Sequence, residues 1–147
     1  VYSSYLVPAQ LFTLFQHANA CTGQLEILAV LMVYLDIPSD RLQDRVILHF
    51  VDNTSVVYSL FKGYTSASDS AIFVNMLHAI AARLCLDVWW EYVRSKANIS
   101  DLPSRGDLDL LRSLGCNWIA PVMLSFLQFM LPLTTWLPKA SESICWC

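Results

Sequence analysis

Phe50-Val51-Asp52-Asn53-Thr54-Ser55 closes the run Val46-Ile47-Leu48-His49-Phe50-Val51, and the reading of this stretch decides the fold. Residues 46–51 carry no acid, Lys or Arg and are mostly β-branched or aromatic, which predicts a strand buried within a sheet. The run ends on an acid followed by three small polar residues. The strand is therefore expected to deliver Asp52 to its C-terminal tip, with Asn53, Thr54 or Ser55 capping the next helix. Strand tips in α/β sheets combine a rigid base with access to solvent, which suits them to chemistry.

Upstream, Thr22 can cap a helix in which Leu25, Leu28, Ala29, Met32 and Leu35 recur at helical spacing. Ile27, Val30, Leu31 and Val33 widen that stripe until the helix is apolar nearly all round, so it is expected to be buried. Residues 1–7 read as a short strand stopped by Pro8, and residues 39–45 as a charged connector into the central strand. Downstream, residues 55–61 form a short helix that Gly63 ends. Asp69 or Ser70 can cap a longer helix over residues 71–84. Residues 86–93 alternate, with Leu86, Val88, Trp90 and Tyr92 on one side, as a strand with one face in the core would. A short helix over residues 107–114 ends at Gly115. The order of strands and helices predicts an α/β chain with helices packed on a sheet.

Three acids stand in pointed settings on separate elements. Glu26 interrupts the apolar helix, Asp52 ends the central strand, and Asp101 follows Ser95-Lys96-Ala97-Asn98-Ile99-Ser100. Carboxylates gathered from separate elements suit a divalent cation, because hard cations take oxygen ligands. Glu91, in mid-strand, reads as an edge residue or the partner of an arginine.

The 147 residues are enough for one domain with a real core. The net charge of −3 argues against a strong autonomous grip on nucleic acid, although a bound cation inverts the field of a carboxylate cluster. Cys21, Cys85, Cys116, Cys145 and Cys147 form no CxxC pair, which points to reduced thiols and an intracellular setting, cytoplasmic or nuclear. The chain lacks an initiating Met and starts in mid-pattern, as a piece of a longer polyprotein or a degraded copy would.

Gly23-Gln24-Leu25-Glu26-Ile27-Leu28-Ala29, Val51-Asp52-Asn53, Leu60-Phe61-Lys62-Gly63-Tyr64, Glu91-Tyr92-Val93 and Ser95-Lys96-Ala97-Asn98-Ile99-Ser100-Asp101-Leu102-Pro103-Ser104-Arg105 follow one another in order. In that order and spacing, residues 1–115 resemble the ribonuclease H domain that trails the reverse transcriptase of retrotransposons, gypsy-like ones included. The resemblance implies a ribonuclease H-like mixed sheet with flanking helices. It implies two Mg²⁺ ions held by carboxylates, with cleavage of the RNA strand of an RNA–DNA hybrid. Residue by residue, Glu26, Asp52 and Asp101 match three of the family's four acids as metal ligands and catalytic residues. The fourth, on the family's first strand, has no match, because no acid precedes Glu26. The first strand is accordingly expected to be missing and the chain as given to be inactive.

Lys62, Arg94, Lys96 and Arg105 flank the acids and could meet phosphates, and Asn53 could bond a 2′-hydroxyl. Substrate contacts are assigned to Asn53, Lys62, Lys96 and Arg105. The family's histidine before the last aspartate is absent from residues 95–100. His49 reads as a core histidine, and Trp89-Trp90 as packing rather than a base-stacking platform. The implied partners are the hybrid and an upstream reverse transcriptase domain of the same polyprotein. The alternative is a non-catalytic remnant or docking module. Residues 116–147 are expected to be an apolar tail outside the core. Its uncharged stretch 118–137 is long enough for a membrane span, but Pro121 and Pro132 argue against one.

Overall fold

The computed structural model describes residues 2–7, 9–12, 15, 21–120 and 142–146. The chain is broadly α/β, with helices and strands mixed and a small parallel pair of strands. It divides into two compact units, Thr22–Asn98 and Val1–Cys21 with Ile99–Cys147. That division falls elsewhere than the expected boundary between residues 115 and 116.

In the first-described unit the order is α2 (Thr22–Asp36), α3 (Ser39–Leu42), β2 (Val46–Val51), α4 (Thr54–Lys62), α5 (Ser68–Arg83) and β3 (Asp87–Tyr92), then a 3₁₀ turn at Ser95–Ala97. β2 and β3 pair in parallel, with Leu48 opposite Trp89 and Phe50 opposite Glu91. The two helices between them make the crossover that parallel strands require. α2 forms because its interior is long-chained and apolar, and it buries Ile27, Leu28, Val30, Leu31, Met32 and Tyr34. It packs against α4 and α5, while α4 lies on both strands. The core so enclosed adds Val56 and Leu60 from α4 and Phe73, Val74 and Leu77 from α5.

Asn53 caps α4, its Oδ1 accepting from Ser55 N at 3.0 Å and Val56 N at 3.3 Å. Gly63 closes the same helix with φ +73°, a left-handed position that glycine adopts without strain. The start of α5 differs from expectation. The helix begins at Ser68 behind Ala67, which supplies no side-chain cap, and Ser70 is buried inside it. Asp69, in the first turn, accepts from Ser70 N at 2.8 Å, so an acid there meets one of the helix's spare amides. Residues 39–45, read as a connector, hold the single turn of α3.

The expected burial of β2 on both faces is corrected. Val46, Leu48 and Phe50 are 74%, 59% and 50% exposed, and only Val51 is buried. Alternate residues Ile47, His49 and Val51 turn toward the helices. Among the described residues a helical layer covers that face alone, so the uncharged run is half-buried rather than central. β3 alternates as expected through Trp90, which is inward while Trp89 is 65% exposed, but Tyr92, expected on the inward side, is 43% exposed.

In the other unit, β1 (Ser3–Val7) pairs antiparallel with β4 (Glu142–Trp146), Ser3 opposite Trp146 and Val7 opposite Glu142. Tyr2 bridges Trp118, its N donating to Asn117 O and its O accepting from Ile119 N, both at 2.9 Å. Ser3, fully buried, donates its hydroxyl to Ile119 O at 2.9 Å. Residues 117–119 and 142–146, from the stretch expected as a tail, thus hydrogen-bond to residues 2–7. α1 (Ala9–Phe12), α6 (Asp101–Ser104) and α7 (Asp109–Ser113) complete the unit, with α6 against β1 and β4. Residues 121–137, most of the stretch read against a membrane span, lie outside the described residues. Among the described residues no helix is long and apolar enough to cross a membrane.

Candidate active site

β2 carries Asp52 one residue past its last paired position, Val51 opposite Tyr92, where the chain turns into the Asn53 cap. The carboxylate thus stands at the C-terminal end of a parallel pair, half-buried, on backbone held from both sides: Val93 N donates to Val51 O at 3.0 Å, and Asn53 O accepts from Val57 N at 3.0 Å.

The helix ends determine where Glu26 lies along the sheet. Asp44 N donates to Leu84 O at 2.9 Å, and Asp87 N to Arg45 O at 3.0 Å, so α5 finishes beside the entry of both strands. Its 16 residues run back roughly 24 Å to Asp69. There Gln24 Nε2 donates to Asp69 Oδ2 at 3.3 Å, joining the start of α2 to the start of α5. α2 then meets the sheet where Tyr34 stacks on His49. Glu26 and Asp52 consequently lie toward the same end of the strand pair, the C-terminal one. Glu26 is half-buried, with Oε2 out of solvent.

Asp101 belongs to the other unit. It opens α6 behind Ser100, which makes no side-chain cap, and its Oδ2 accepts from Arg105 Nη2 at 2.8 Å. This is an i, i+4 pair with the arginine well exposed, a geometry that steadies the carboxylate's rotamer more than it stabilises the fold. Arg105, expected at a phosphate, is therefore engaged with an expected metal ligand.

Among the described residues no group of three or more His, Cys, Asp or Glu side chains is placed to hold a metal ion. Mg²⁺ demands near-octahedral oxygen coordination, and within their unit Glu26 and Asp52 supply two carboxylates. Both are oxygen donors of the kind Mg²⁺ takes, and magnesium commonly completes its shell with water and phosphate oxygens.

The expected substrate contacts each have a setting of their own. Asn53 spends its carbonyl oxygen on the α4 cap, leaving its amide N–H groups as donors toward a ligand. Lys62 stands on the exposed side of α4 with Nζ 5.4 Å from the centroid of the Tyr58 ring. Lys96 is exposed in the 3₁₀ turn, and Arg94 is exposed just before it. Glu91 is exposed and accepts from Tyr92 N at 3.1 Å. His49 is a packed histidine, bonded to Tyr34 and tilted against Trp90 at 5.2 Å. His78 Nε2 meets Leu60 O at 2.9 Å, tying α5 to the last turn of α4. Of the tryptophan pair Trp90 packs, whereas Trp89 does not.

The sequence reading passed over Tyr58 and Phe61, 64% and 75% exposed. Their signal was present: they lie three residues apart, opposite the buried pair Val56 and Leu60. Compared with known proteins, the chain matches no family, no curated protein and no solved structure.

Proposed function

We propose that the chain is a ribonuclease H-like fragment of a retroelement polyprotein, descended from an enzyme that cleaves the RNA strand of RNA–DNA hybrids and inactive as it stands. The observation that carries this reading is Asp52 at the C-terminal tip of β2, with the helix bearing Glu26 starting at that same end of a parallel strand pair. Support also comes from the order of the quoted segments, which ends on Asp101 and Arg105. Glu26, Asp52 and Asp101 are the remaining acids of a site whose fourth carboxylate has no counterpart in this sequence. The hybrid and a reverse transcriptase domain are the partners this reading assigns.

The test is a cleavage assay on a labelled RNA–DNA hybrid with Mg²⁺ or Mn²⁺, comparing the purified chain with one extended upstream by an Asp-bearing strand. Cleavage by the extended chain, abolished by Asp52→Asn and absent from the short chain, is the expected result. Robust cleavage by the short chain would overturn its assignment as inactive. A second reading, a non-catalytic module docking on a polymerase domain, is favoured by the bare apolar face of β2 and β3. It gains if the extended chain also fails to cleave yet binds the polymerase domain.

A further inference from the structure

Apart from Lys62, expected at a phosphate, nothing described so far uses the outer side of α4. Val56 and Leu60 point inward at 2% and 0% exposure, while Tyr58 and Phe61 stand out in solvent beside Lys62. Tyr64, just past the Gly63 cap, is also 64% exposed. From Asn53 to Ser66 the chain contains no acid, and Lys62 is its single charge. The ammonium lies over the Tyr58 ring, so the cation and the aromatic face form one surface. Leaving a phenylalanine ring in water is unfavourable, and clustered exposed aromatics mark contact surfaces.

We propose that this face of α4, formed by Tyr58, Phe61 and Lys62, binds single-stranded nucleic acid, with unpaired bases stacked on the two rings and a phosphate at Lys62. Rings at i and i+3 are neighbours on a helix, a spacing that consecutive splayed bases can span. Stacking tolerates any base because each has a π-face, and a nearby cation supplies the complement to the phosphate. A duplex offers only its two end faces for stacking, so the surface selects unpaired strand rather than hybrid. The proposal rests on the nuclease reading only for its placement: Tyr58 lies four residues, roughly 6 Å, along α4 from Thr54, which follows Asp52 and the Asn53 cap. Binding itself needs neither a metal nor that carboxylate.

The experiment is fluorescence anisotropy of labelled oligothymidylate and oligouridylate of about a dozen nucleotides, a length within known single-strand site sizes. It is run on the full chain in EDTA at low and moderate salt. Saturable binding is expected, weakened roughly tenfold by Tyr58→Ala or by Phe61→Ala and retained by Tyr58→Trp. Lys62→Ala should reduce the dependence of log affinity on log salt by about one unit. The positions are exposed, and circular dichroism checks that each variant folds. Equal affinity for the DNA and RNA oligomers supports recognition through base faces, and an RNA preference adds a 2′-hydroxyl contact to the same surface. Absence of saturable binding, or full binding by the folded Ala variants, overturns the proposal. So does a sedimentation result in which Tyr58→Ala dissolves a dimer while neither oligomer binds. Binding without any cleavage by the upstream-extended chain would sink the nuclease reading alone.

Discussion

The Tyr34 hydroxyl and His49 Nδ1 meet at 3.2 Å, with the two rings stacked at a 17° angle and centroids 5.7 Å apart. This contact joins the last turn of α2 to the middle of β2. Trp90 of β3 leans on both rings, at 6.2 Å from Tyr34 and 5.2 Å from His49. Burial pushes the imidazole down to about 4 and the phenol upward. A neutral imidazole is what the site accepts, since its neighbours Tyr34 and Trp90 are aromatic and, among the described residues, no carboxylate is bonded to it.

The first prediction follows from that shift. The folded pKa of His49, about 4, lies below the ordinary 6.5, so the unfolded chain takes up a proton that the folded chain refuses. The stability His49 contributes is complete above pH 6.5 and is lost as pH falls from 6.5 toward 4. The loss is on the order of 2–3 kcal/mol. Urea midpoints measured between pH 7 and 4 should fall, and His49→Phe should flatten that part of the curve. An unchanged pH dependence in the variant would place the proton uptake elsewhere.

A second prediction tests the ends of α4. Asn53→Ala removes the acceptor for two backbone amides and should cost about 1 kcal/mol. Asn53→Asp, which keeps an acceptor, should cost far less. Gly63→Ala should also destabilise, through the backbone at φ +73° rather than through a clash, because an added Cβ would sit at ordinary contact, 3.6 Å, from the His78 ring. Thermal unfolding of the three variants separates these effects.

The core supplies the third. Phe73, 1% exposed, and Leu31, fully buried, belong to the α2 and α5 faces that pack together. Truncating either to Ala should cost roughly 3–5 kcal/mol by leaving a cavity. Against the 5–15 kcal/mol usual for a domain, that removes roughly a third or more of the stability of a domain near the middle of the range and most or all of it at the low end. A much smaller loss in denaturant titration would mean that α2 and α5 repack around the gap.

Much of this architecture could be read from residues. The uncharged run before Asp52 announced β2, the polar trio Asn53, Thr54 and Ser55 announced a cap for α4 that proves to be Asn53, Gly63 announced its end, and the all-round apolar pattern of residues 25–35 announced a buried helix. Less legible was which face of β2 the protein covers: Val46, Leu48 and Phe50 are as apolar as Ile47 and Val51, and a strand's composition does not tell how many layers enclose it. Nor does pattern reveal long-range pairing. That β1 pairs with β4, more than a hundred residues away, left no local trace. Of the expected acids, Asp52 was legible because a strand end is a local feature. The association of Asp101 with Arg105 is legible in their i, i+4 spacing, which competes with a phosphate for the same guanidinium.

The last prediction concerns the bare face of the β2–β3 pair. Val46, Leu48 and Phe50 stand beside Trp89, all at least half exposed, and Leu48 is directly opposite Trp89 in the parallel register. Such a surface exceeds the scattered apolar exposure of ordinary monomers, and among the described residues β2 and β3 pair only with each other, which leaves backbone groups that recruit further strands. Asp87 and Glu91 lie on the same side of β3 and are exposed, so charge interrupts the patch without covering it. The purified chain should therefore bind a hydrophobic dye and associate at rising concentration. Leu48→Lys together with Trp89→Lys should lower both signals while leaving the unfolding midpoint nearly unchanged, since neither side chain reaches the helical face. Two lysines also place cations beside Asp87 and Glu91, which offsets the local negative charge rather than adding to it. Should the double variant instead unfold, the two side chains must be packed against something in solution, and the face would be covered rather than bare.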